Sequence, residues 1–110
     1  MFGGEREKKA EELYQTGYAY YLKYGKDIIE NNNPDIKDID MSISYLKQSI
    51  DHNPRLAKAM AMLGLSYSIK GDHKNELLYY EKALQYKEQL GNKAEEFQKR
   101  AESLRKVINS

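Results

Sequence analysis

Asp35, Asp38 and Asp40 crowd into the stretch NNNPDIKDID, and three carboxylates so close together raise one chemical reading, oxygen ligation of a calcium ion. The register does not carry it. In frames starting at Asn31, Asn33 or Asp35, the sixth loop position is never Gly and the twelfth is never Glu. Capping of a helix and acids favoured in its first turn account for these residues better. The two histidines, His52 and His73, stand at a helix end and a helix start. His73 in GDHKN reads as a solvated first-turn residue rather than a base. No phosphate-binding Gly loop, Ser/His/Asp set or metal cluster is visible. Cysteine is absent, which excludes disulfides and thiolate metal sites. The expectation is a protein without catalysis and without a cofactor. What stands out instead is phenolic: ten Tyr and no Trp, with Tyr14, Tyr18 and Tyr21 at helical spacing.

At 110 residues the chain fits one domain. It is 40% hydrophobic and 32% charged, a balance of folded rather than disordered chains. The net charge of +1 lacks the clustered basic excess of a nucleic-acid binder, so none is expected. No stretch approaches 18 apolar residues, so no membrane insertion is expected. The start MFGGEREKKAEE has no apolar run, which argues against a signal peptide and makes cytoplasmic residence the default.

Only two Pro and no alternating β-branched runs point to an all-α chain. Leu13, Gly17, Tyr20, Tyr24 and Ile28 share one face of a first helix, from about Arg6 to Glu30, whose last turns Gly25 weakens. NNNPD breaks it, with Asn33 as a cap and Pro34 suited to a first helical position. A second helix, from Pro34 or Ile36 to His52, carries the stripe Ile36, Ile39, Ile43, Leu46 and Ile50. Pro54 stops it. A third, from Arg55 to Lys70, uses Leu56, Met60, Leu63 and Tyr67. Gly71 ends it in a left-handed turn and Asp72 caps the next helix, His73 to Gln89, which uses Leu77, Tyr80 and Leu84. Asn92 with Glu95 predicts a capping box for a fifth helix bearing Ala94, Phe97, Ala101, Leu104 and Ile108.

One residue breaks the rules of a helix interior. Gly64 lies inside AMAMLGLSYSIK, where it costs about 1 kcal/mol relative to Ala. Two helices approach closely where a side chain is missing, so Gly64 is expected to accept a bulky residue, Tyr80 of the fourth helix or one from the second. In the unit Ala57 to Leu90, Met60 precedes Leu63-Gly64 and Tyr67, and Tyr80 and Ala83 follow the turn Lys70-Gly71-Asp72. Pro54 closes the unit before it. This order resembles the signature of the tetratricopeptide repeat (TPR) family. Two residues depart from it: Glu76 stands where the family has Ala, and Glu88 where it has a terminal Pro, which fits a fourth helix that runs on straight. Leu13, Gly17 and Tyr20 repeat the spacing of Met60, Gly64 and Tyr67, and Leu46 and Ser49 fall where Tyr80 and Ala83 fall later. The upstream copy is longer by an extended first helix and the NNNPDIKD loop.

The resemblance implies a helical-hairpin solenoid. Residues 6–52 form a degenerate repeat, 57–90 a full repeat and 92–109 a cap helix whose far face (Glu95, Glu96, Lys99, Arg100, Glu102, Arg105) meets solvent. It implies a concave partner-binding groove formed by first helices: Tyr14, Tyr18, Tyr21 and Leu22, then Lys58, Ala61, Leu65, Ser68 and Ile69, with Asn92, Glu95 and Lys99 from the last helix. Positions that in one subclass clamp a terminal carboxylate are Tyr14, Tyr18, Met62, Asn92 and Glu96, and none is a cation. The implied function is protein–protein interaction, as an adaptor or scaffold for an apolar peptide or helix. A homodimer, or a structural subunit of a larger assembly, is the alternative.

Overall fold

The computed structural model describes residues 2–110, and the fold is all-α, with no strand among the described residues. The helices are α1 (Phe2–Ile29), α2 (Ile36–His52), α3 (Ala57–Lys70), α4 (His73–Leu84), a single turn α5 (Lys87–Leu90) and α6 (Ala94–Ile108). A 3-10 turn, Gly91–Lys93, joins the last two. The chain divides into two compact units, 1–54 and 55–110. In the first, α1 packs along α2; in the second, α3 packs along α4, and α6 packs on α4.

In the first unit the hairpin closes on Gly17. A Cβ built there would lie 2.8 Å from Leu46 Cγ and 3.1 Å from the Ser42 carbonyl oxygen, so the missing side chain sets the spacing of α1 and α2. Ile39 and Leu46 of α2 are fully buried, with Ala10 and Leu13 of α1 also in the core. Ser49 Oγ donates to the Ala10 carbonyl at 2.7 Å, which satisfies a buried hydroxyl across the helix pair. Tyr20 stacks on Tyr45 with ring centroids 5.8 Å apart and planes 7° apart. At the loop end, Lys23 Nζ donates to Asp38 Oδ2 at 2.7 Å.

In the second unit α3 is apolar nearly all round, and nine of its fourteen residues are buried, as such a composition requires. Here the close approach is at Gly64: a Cβ there would overlap Cε1 and Cδ1 of Tyr80. Of the two bulky candidates, the residue Gly64 accepts is therefore Tyr80 of α4. Tyr67 stacks on Tyr79, centroids 5.7 Å apart and planes 9° apart. Tyr80 packs in turn on Phe97 of α6, at 5.4 Å between centroids.

The two hairpins therefore repeat one another in detail. Ala10, Leu13, Gly17 and Tyr20 correspond to Ala57, Met60, Gly64 and Tyr67; Ser42, Tyr45, Leu46 and Ser49 correspond to Glu76, Tyr79, Tyr80 and Ala83. The glycine contact and the tyrosine stack occupy matching positions in both.

Several local expectations are corrected. The cap of α2 is Asp35, whose side chain accepts from the Lys37 N–H at 2.9 Å, and not Asn33. Asn33 has φ 52°, which is incompatible with the extended backbone of an N-cap. Asn92 and Glu95 form no capping box, because Asn92 lies in the 3-10 turn and α6 starts without a side-chain cap. α1 continues past Gly25 to Ile29. Ile28 and Ile36, placed on core stripes, are 51% and 42% exposed, because they lie at the loop end where the helix pair runs out. The fourth helix does not run on straight but breaks after Leu84. Gly71 and Asp72 behave as read: Gly71 has φ 75°, and Asp72 Oδ1 accepts from the Asn75 N–H at 3.2 Å.

Candidate functional site

The tyrosines singled out on α1 belong to the first unit. Tyr14 and Tyr18 are one turn apart, which brings their rings together, with centroids 5.8 Å apart and planes 19° apart. Both are partly buried, as is Tyr21, while Leu22 is 51% exposed. Burial pushes the Tyr14 phenol above its ordinary value, and the neighbouring Tyr18 and the Glu11 carboxylate push it the same way. The surface is thus a stacked aromatic platform with polar tips, bordered by aliphatic surface. Such rings offer apolar area and hydroxyl hydrogen bonds together. Beyond Leu22, Ile28 and Ile29 are also open, Ile29 at 83%.

The α3 residues belong to the second unit. Lys58, Leu65, Ser68 and Ile69 are partly exposed. Ala61 is only 4% exposed, so it lends no surface of its own. Of the residues taken from the last helix, Asn92 sits in the 3-10 turn, and Lys99 Nζ pairs with Glu95 at 3.3 Å.

The second unit also holds an open cleft of about 410 Å³ between α4 and α6, lined by Glu76, Glu96, Lys99, Arg100 and Ser103. Glu76, in the slot where an Ala was expected, is 4% exposed. Both oxygens of its carboxylate are engaged. Tyr80 Oη donates to Glu76 Oε2 at 2.7 Å, and Glu76 Oε1 lies 3.0 Å from His73 Nδ1. Burial pushes the Tyr80 phenol well above its ordinary 10.0; the bond to Glu76 and the charge of that carboxylate add to this, and Arg100 opposes it. At the rim, Arg100 donates to Glu96 Oε1 at 3.2 Å. The cleft is balanced in charge, and its Glu–Tyr pair acts as a polar bolt within α4. His73 is thus exposed at a first turn, as read, but also tied to Glu76.

Two of the three acids of the Asp-rich stretch have structural roles. Asp35 caps α2 and Asp38 pairs with Lys23. Among the described residues, no group of three or more His, Cys, Asp or Glu is placed to hold a metal ion. Among the same residues, no helix is long and apolar enough to cross a membrane.

Two elements were not read from the sequence. Tyr45 and Tyr79, partners of the two tyrosine stacks, carry a signal that was available: they sit at matching positions one residue before Leu46 and Tyr80. Gln89, which reaches back to the start of α3, carries no such signal.

No protein-family model matches the chain, and comparison with curated proteins returns no significant match.

Proposed function

We propose that the chain is a TPR-like, non-catalytic interaction module that binds a peptide or helix through the tyrosine-bearing face of α1, the exposed residues of α3 being a separate candidate surface on the second unit. The observation that carries this reading is the duplication inside the chain. Two hairpins of different sequence keep the same glycine contact, Gly17 to Leu46 and Gly64 to Tyr80, and the same tyrosine stack. Stacking of similar helical hairpins is how solenoids build extended binding surfaces. The partner of such a face is an apolar segment, held by ring and aliphatic area and oriented by tyrosine hydroxyls. The step from hairpin repeat to binding rests on analogy of architecture.

The test is affinity capture from native lysate with the wild type, Tyr18→Ala and Leu65→Ala. A specific polypeptide is recovered by the wild type and lost or reduced with at least one of the variants. Equal recovery of every polypeptide by all three proteins refutes the assignment of these faces.

A second reading is self-association or permanent packing in a larger assembly. It is favoured by the exposed aliphatics Leu22, Ile28 and Ile29, at 51%, 51% and 83%. Sedimentation at micromolar concentration separates the two: an adaptor stays monomeric, and a structural subunit forms a stable oligomer.

A further inference from the structure

Two glycines in helix interiors are accounted for inside the molecule. Leu46 of α2 lies against Gly17, and Tyr80 of α4 lies against Gly64. In both hairpins, then, a glycine within a helix marks the seat of a bulky side chain from a helix packed alongside. Gly25 departs from that rule. It lies inside α1, which runs on to Ile29, and its backbone is not left-handed. Nothing lies within 4 Å of the Cβ it lacks. Ala in its place would favour the helix, so Gly25 weakens α1 with no contact inside the molecule to explain it.

The surface around Gly25 has the shape of a helix contact. Tyr18, Leu22, Gly25 and Ile29 follow one another at spacings of four, three and four, which places them on one face of α1. Leu22 and Ile29 are both exposed. Helices pack by setting the ridge of one into a low point of the other. A missing side chain between two open aliphatic ones is such a low point.

Charge selects what fills it. Between residues 22 and 41, the loop end of the α1–α2 hairpin, five acids stand against three lysines, in a chain whose net charge is +1. One of those lysines, Lys23, is held between Asp27 and Asp38, at 3.4 and 2.7 Å. The loop end also carries Ile28 and Ile36, both open to solvent, so it is apolar and acidic together. A second copy meeting it through the same patch would bring two acidic rims face to face. Nucleic acid and anionic lipid are repelled by the same charge. An apolar helix with basic edges is attracted. We infer that Gly25 is the docking seat for an amphipathic, basic helix of another protein. A bulky apolar side chain of that helix sits on Gly25 between Leu22 and Ile29, and its Lys or Arg residues meet the acids of the loop end. The inference rests on the reading of α1 as a binding face, and it extends that face from Tyr18 to the end of the helix.

The experiment uses the full chain, isotope-labelled for NMR and titrated with a synthetic helix of Leu, Ala and Lys that carries leucine on one face. The control peptide has Glu at every Lys. With the Lys peptide the amides of Leu22, Gly25 and Ile29 shift saturably; with the Glu peptide they do not. Gly25→Gln keeps a good helix former and fills the seat, and it lowers affinity for the Lys peptide about tenfold or more while circular dichroism shows the helix content retained. Tyr18→Ala is measured beside it, so that the two readings fail separately. Equal affinity of wild type and Gly25→Gln overturns the seat, even where Tyr18→Ala weakens binding and leaves the tyrosine face standing. Loss of affinity in Gly25→Gln alone supports the seat and removes the tyrosine face. Absence of a saturable shift at 22, 25 and 29 overturns the proposal, and so does equal binding of the two peptides. Shifts at those amides that grow with protein concentration in the absence of peptide also overturn it, because the occupant is then a second copy.

Discussion

Replacing Gly64 with Ala sets two effects of opposite sign against each other. Ala gains about 1 kcal/mol over Gly in a helix interior. The new methyl group, however, overlaps Cε1 and Cδ1 of Tyr80 and lies 3.2 Å from Cζ. To restore ordinary carbon contacts the ring must withdraw by roughly an ångström. It has nowhere to go: Tyr80 is 0% exposed, its hydroxyl is fixed on Glu76 at 2.7 Å, and its ring rests on Phe97. Overpacking of this kind costs about 1–3 kcal/mol, and weakening the buried hydrogen bond costs about 1 kcal/mol more. The net expectation is destabilisation by about 1–3 kcal/mol. Gly25→Ala is the internal control, since nothing lies within 4 Å of the Cβ it would add. That variant is stabilised by about 0.5–1 kcal/mol. Gly17→Ala falls between the two, because the Cβ it adds meets Leu46 Cγ at 2.8 Å and the Ser42 carbonyl oxygen at 3.1 Å, a milder overlap than at Gly64. Urea unfolding followed by circular dichroism gives all three values. A Gly64→Ala protein as stable as Gly25→Ala would refute the claim that Gly64 sets the α3–α4 spacing.

Other outcomes follow from the same geometry. A phenol with a raised folded-state pKa holds a proton that the unfolded chain releases, so its stabilisation is full below the unfolded value and is lost as pH rises above it. Unfolding free energy therefore falls above the ordinary 10.0 of Tyr80. Urea midpoints from about pH 9 to 11 show a shallower fall in Tyr80→Phe. Gly71→Ala forces a side chain into φ 75° and lowers stability by about 1 kcal/mol, whereas Gly71→Asn loses less; thermal melts separate them. Asp35→Ala removes the α2 cap and costs about 1 kcal/mol, while Asn33→Ala leaves the capping bond intact, which unfolding midpoints distinguish.

What was legible in the sequence was whatever local chemistry determines. The apolar spacing gave the long helices, and Gly71-Asp72 gave the α3–α4 turn through a left-handed glycine and an aspartate cap. Gly64 was legible because a costly residue in a good helix signals a close neighbour. The cap of α2 was not. Three asparagines and an aspartate all qualify by type, and the choice is made by backbone: Asn31 and Asn33 adopt positive φ, which leaves Asp35 extended. The break after Leu84 was hidden for a different reason. Gln89, just after the break, bonds a peptide group 32 residues earlier, and a glutamine in a helical stretch resembles any surface residue. Glu76 showed in the sequence only as a departure from the repeat signature, because its partners, Tyr80 and His73, meet it only once α4 has formed. The tyrosine stripe of α1 was legible from its spacing, but the exposure of the α3 residues was not: Ala61 follows the expected register, yet it is closed to solvent.

The binding claim is tested most directly by site-specific crosslinking from within the proposed face. A photoreactive phenylalanine analogue is placed at position 18, at position 65, or at the exposed α6 position 98 as a control. The account predicts a discrete polypeptide adduct from position 18 or position 65 that is absent from 98. No adduct at 18 and 65, or the same adducts from all three positions, contradicts it.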